Sequence, residues 1–136
     1  MPGAITNRVS LTNAQTLLLI AIGAALWGFA AIILRMVAPM GALEGSARAI
    51  TYVLLIPITL PFVWLVRAAV KLRRNQIFTG VAVATTTALL IDGIVIAYFP
   101  DIYGSTLPQV TNCAAAILWG AGVGMVLAFI LNRGEE

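Results

Sequence analysis

Hydrophobic residues in this chain fall into four long runs separated by short polar segments, covering about 15–37, 47–66, 77–99 and 108–131. A helix rises about 1.5 Å per residue, and the hydrocarbon core of a bilayer takes about 20 residues. Each run is therefore long enough to span. The pattern predicts an all-α fold, an integral membrane bundle of four transmembrane helices arranged up-down-up-down, with residues 1–136 forming a single membrane domain.

Polar residues mark the ends of the runs. Thr12 with Gln15 fits a capping box at the start of the first. Small residues around Gly23–Ala25 resemble a signal-peptide cleavage region, but the apolar run continues to Leu34, which predicts a retained span. Trp27 lies near the middle of that span, where packing is expected of it rather than interface anchoring. Pro39 and Gly41 stop the first helix, and Ser46 is placed to cap the second. Glu44 stands one turn before Arg48, spaced for an exposed ion pair. Pro57 and Pro61 fall inside the second span and predict a kink. Asn75 is placed to cap the third span, while Tyr98, Phe99 and Tyr103 gather at its exit as an aromatic belt. Thr106 and Pro108 signal the start of the fourth helix. Asn132, Arg133 and Gly134 form a helix stop, followed by Glu135 and Glu136.

The third and fourth runs carry small residues at every fourth position. Gly80, Ala84, Ala88 and Asp92 share one face; Asn112, Ala116, Gly120, Gly124 and Ala128 share another. Such stripes let helices approach closely. Short connections make consecutive helices antiparallel neighbours, so these two stripes are expected to pack on each other.

Asp92 is the one carboxylate within a run. An ionised acid in the hydrocarbon slab costs roughly 2.5–3.5 kcal/mol on insertion scales, so it must pair, reach water or hold a proton. Counting inward from the outer loop puts Asn112 at its depth, as a hydrogen-bond partner. Arg35 and Arg48 belong to the same half and are the candidate counter-charges. Asp92, Asn112, Arg48 and Arg35 thus form the candidate intramembrane polar site.

Composition narrows the chemistry. The chain is 61% hydrophobic and 10% charged, against about 25% charged in a soluble domain. It has no histidine, which removes the commonest metal ligand and general base. Its lone cysteine, Cys113, is flanked by apolar residues, as a buried inert thiol would be. Gly120–Gly124 is followed by no Lys-Ser or Lys-Thr, so it is not a phosphate loop. No catalytic, cofactor-binding or metal-binding set is expected. The net charge of +3 does not point to nucleic acid, because the basic residues flank spans. Arg67, Lys71, Arg73 and Arg74 crowd one short loop, and short basic loops stay in the cytoplasm. Both termini then lie inside, with Arg8 and Arg133 joining the cluster and Arg35 and Arg48 outside. The cluster can also bind anionic lipid headgroups, though topology alone accounts for it.

The stretches LLIDGIVIAYFPDIY (Leu89–Tyr103) and ILWGAGVGM (Ile117–Met125) resemble an uncharacterised family of small four-span bacterial membrane proteins. The resemblance covers the C-terminal half; the first half matches only in hydropathy. It implies a four-helix fold and a bacterial inner-membrane location, and brings no activity with it. Small multidrug-resistance transporters have similar length but carry an acid in the first span, where this chain has none.

Two functions are consistent with these residues. One is a non-enzymatic accessory or scaffold subunit, or a small oligomer, with membrane lipids and other membrane subunits or copies of itself as partners. That reading leads, because packing and topology account for every feature. The other is a proton-coupled small-molecule transporter or exporter using Asp92.

Overall fold

The computed structural model describes residues 10–133. The expectations for Arg8, Gly134, Glu135 and Glu136 lie outside the described residues. The chain forms four α-helices: α1 (Asn13–Val37), α2 (Gly45–Val70), α3 (Ile77–Tyr98) and α4 (Leu107–Leu131). Short 3₁₀ turns stand before or between them at Ala38–Met40, Arg74–Gln76 and Pro100–Ile102. All four helices are long and apolar enough to cross a membrane. They alternate in direction, as the short connections require.

Side-chain bonds tie each end together. At one end, Gln76 Nε2 donates to the Ser10 carbonyl at 2.9 Å, and Arg133 N–H donates to the Arg74 carbonyl at 2.9 Å. At the other, Arg35 Nη1 donates to the Asp101 carbonyl at 2.7 Å, and Thr51 Oγ1 to the Ala42 carbonyl at 2.8 Å. Among the described residues, the first end gathers Arg67, Lys71, Arg73, Arg74 and Arg133, and the second holds Arg35, Arg48, Glu44 and Asp101.

Local chemistry explains most boundaries. Thr12 and Gln15 form the expected capping box. Thr106 accepts from Gln109 N–H, with Pro108 in the first turn of α4. Other caps differ from expectation. Helix α2 begins at Gly45 with Glu44 as its N-cap, so Ser46 is already inside the helix and does not cap it. Asn75 falls within a 3₁₀ turn, and its Oδ1 is buried without a partner. The N-terminus of α3 is satisfied from across the bundle instead: Asn132 Oδ1 accepts from Phe78 N–H at 3.0 Å. Helix α2 runs unbroken through Pro57 and Pro61. These prolines remove the N–H donors that the Val53 and Pro57 carbonyls would otherwise receive.

The helices do not pack in chain order. Helix α1 lies chiefly on α3, α3 on α4, and α4 on α2, while α1 meets α2 only lightly. Helices α3 and α4 are neighbours as expected, yet Gly80, Gly120 and Gly124 do not press on the opposite stripe. Gly23 of α1 presses against α3, where a Cβ would collide with the Ala84 carbonyl oxygen and come within 2.9 Å of Thr87 Cβ. Gly80 is covered by Leu72 from the loop before α3, and Gly124 faces Thr59 of α2. Gly120 has open space beside it. Helices α2 and α4 are joined further by the stacked rings of Tyr52 and Trp119, 5.3 Å apart, with Trp119 Nε1 donating to the Tyr52 carbonyl at 2.9 Å.

Candidate functional site

The apolar core is split into two clusters. One, near the basic end, centres on Leu19, Val63, Val66, Ile77, Val81 and Ala84. The other, near the opposite end, contains Ala31, Leu43, Val95, Tyr103, Cys113 and Ala116. Tyr103 corrects the sequence expectation. Tyr98 and Phe99 are 75% and 60% exposed, as belt residues are, but Tyr103 is 0% exposed. The Pro100–Ile102 turn reverses the chain and drives the ring of Tyr103 back into the bundle.

Its phenol reaches Asp92. Tyr103 Oη donates to Asp92 Oδ1 and accepts from Trp27 Nε1 at 2.8 Å. The relay Trp27–Tyr103–Asp92 joins α1, the loop after α3 and α3 itself. A phenol can donate one hydrogen bond and accept another at once, so it suits the middle position. Burial, and next the hydrogen bond to Asp92, push the Tyr103 phenol above its usual range. The neutral phenol is the form that can donate to the carboxylate.

The other expected members of the site lie elsewhere. Asn112 does not bond Asp92; its Oδ1 accepts from Arg48 Nη2 at 3.1 Å. Arg48 also donates from Nε to the Leu43 carbonyl at 2.9 Å, and so serves the loop between α1 and α2 rather than pairing with Glu44. Arg35 is held by the Asp101 carbonyl. Both guanidinium groups stay at the bundle end because long basic side chains reach toward the interface. A neutral phenol from the loop meets Asp92 at lower desolvation cost than a buried cation would. The expected quartet thus divides among three separate contacts, Asp92 with Tyr103, Arg48 with Asn112 and Arg35 with the Asp101 carbonyl, and Tyr103 and Trp27 are the missed members. Cys113 is buried as expected, with Sγ 3.6 Å from the Tyr103 carbonyl.

Asp92 also lines a cavity of about 340 Å³ bounded by all four helices. Its α3 wall is Val81, Ala84, Thr85, Ala88, Leu89 and Asp92, and its α4 wall includes Ala116, Gly120, Ala121 and Gly124. The stripe residues Ala84, Ala88, Ala116, Gly120 and Gly124 are therefore what leaves this space open. Gly80 lies outside it. On α1 and α2 the lining includes Phe29, Ile33 and Ile58, which are 53%, 41% and 51% exposed. Every exposed lining residue belongs to α1 or α2, so the cavity opens sideways where those helices barely touch. Phe29 and Phe62 lean together across that gap, with ring centroids 6.1 Å apart. Among the described residues no cluster of metal-ligating side chains occurs. Comparison with known protein families, curated proteins and solved structures finds no match to this chain.

Proposed function

We propose that this chain is a small multi-pass protein of a bacterial inner membrane that takes a lipophilic, cationic small molecule from the bilayer into its central cavity, as a proton-coupled exporter. One observation carries the reading: a cavity with apolar walls opens toward lipid between α1 and α2 and has Asp92 as its one charged lining residue. An apolar pocket with a single convergent polar group is the usual form of a small-molecule site. A carboxylate there pairs with a cationic head, and its protonation releases that head. The basic end supports a cytoplasmic position for both termini.

The accessory or scaffold reading draws on a different observation. Asp92 is held within the chain by Tyr103, which a purely structural acid also requires. The test is binding of tetraphenylphosphonium to the purified protein, followed by its proton-driven flux in vesicles. The transport reading expects binding that Asp92→Asn removes and that Gly120→Leu blocks by filling the cavity. Unaltered binding in both variants would exclude it and leave the scaffold reading.

A further inference from the structure

A second pocket lies at the basic end; it shares Val63 with the cavity wall but is not lined by Asp92. It holds about 180 Å³ between the end of α2, the turn before α3 and the end of α4. Its walls carry Arg67, Arg74 and Arg133 together with Trp64, Ile77 and Leu131. We propose that this pocket binds the phosphate of an anionic membrane lipid, with the acyl chains lying along the apolar side of the same site.

The fold brings these charges together from three distant parts of the chain. The backbone bond from Arg133 N–H to the Arg74 carbonyl brings these two basic residues to the wall of one pocket. Like charges gathered on one pocket repel modestly in water, and an anion bound among them relieves that repulsion. The described acids offer none: Glu44 and Asp101 are at the opposite end of the bundle, and Asp92 is bound to Tyr103. Glu135 and Glu136 lie outside the described residues. Arg67 uses Nε on the Leu72 carbonyl at 3.4 Å, and a guanidinium has further donors in a fork that matches phosphate oxygens. Orientation in the membrane requires only that basic residues lie on this side; it does not require a shared pocket. Trp64 is 51% exposed and belongs at a headgroup boundary, where its ring supplies the transition from charge to hydrocarbon.

The experiment measures binding of phosphatidylglycerol, phosphatidylcholine and inorganic phosphate to the full chain in neutral detergent. Two matched double variants are compared. Arg74→Gln with Arg133→Gln removes two pocket charges; Lys71→Gln with Arg73→Gln removes two charges of the same loop outside the pocket. The expected result is selective binding of phosphatidylglycerol, weakened roughly fivefold per residue in the pocket variant and retained in the loop variant. Equal loss in both variants, or no preference over phosphatidylcholine, overturns the proposal. Inorganic phosphate competing as well as phosphatidylglycerol at equal concentration would make free phosphate the occupant and overturn the lipid assignment. A melting profile of each variant without added lipid verifies that it is folded.

Discussion

Tyr103 Oη donates a hydrogen bond to Asp92 Oδ1 across a sequence separation of 11 residues, and the two groups meet because the loop after α3 turns back on itself. The carboxylate inside the bundle is therefore satisfied by a residue that arrives from outside its own helix.

Removing that donor leaves a buried acceptor unmet. Tyr103→Phe should destabilise the folded protein by about 1–3 kcal/mol, the usual cost of orphaning a buried polar group. Trp27→Phe removes only the outer bond of the relay and should cost less, about 0.5–1.5 kcal/mol. Equilibrium unfolding in mixed micelles would rank them. An unchanged midpoint in Tyr103→Phe would mean that the relay contributes nothing to stability.

The same phenol sets an alkaline limit. Its folded pKa is raised above the ordinary value of 10.0, first by burial and then by the bond to Asp92. A group raised in this way favours the folded state while protonated. Its contribution is complete below about pH 10 and is lost progressively as pH rises beyond the unfolded value. Wild type should lose stability above about pH 10 more steeply than Tyr103→Phe, measured by thermal melts from neutral to alkaline pH. Parallel curves would count against it.

Close helix contact makes one glycine different from the rest. Gly23→Ala places a Cβ against the Ala84 carbonyl, a backbone atom that cannot swing away. Overpacking of this kind costs about 1–3 kcal/mol. Gly93 and Gly122 have open space beside them, so Gly93→Ala and Gly122→Ala should be neutral or stabilising by up to about 1 kcal/mol. Resistance to unfolding in sodium dodecyl sulfate would separate the three, and equal behaviour would refute the assigned α1–α3 contact.

Asn132 holds the start of α3 from the end of α4. Asn132→Ala should lower stability by about 1 kcal/mol and raise amide exchange at Phe78. Asn75→Ala removes a side chain whose Oδ1 has no partner and should cost less. The reverse order would return the capping role to Asn75.

What the sequence made legible follows from physics that acts along one helix. Run length and hydropathy predict the four spans within a few residues of α1 to α4, and the Thr12 and Thr106 caps depend only on neighbours three positions away. Asp92 stood out because an acid in an apolar run has no inexpensive state. Its partner was not legible, because Tyr103 has the same composition signal as the true belt residues Tyr98 and Phe99. Only the path of the Pro100–Ile102 turn separates them. Depth counting placed Asn112 near Asp92 but says nothing about rotation around the helix axis, and Arg48 claimed Asn112 instead. The stripes on α3 and α4 signal close approach, yet periodicity names neither the facing helix nor the gaps: Gly124 faces Thr59 of α2, and Gly120 borders open space. In the sequence Gly23 belongs to a cleavage-like run of small residues; its role depends on α1 lying on α3, which no local pattern encodes.

The light contact between α1 and α2 bears on how the molecule is assembled. The leading hairpin, α1 and α2, has little contact to hold its two arms together. Each arm finds its main neighbour only in the trailing hairpin, α1 on α3 and α2 on α4. A chain ending at Val70 would therefore lack the main contacts of both its helices.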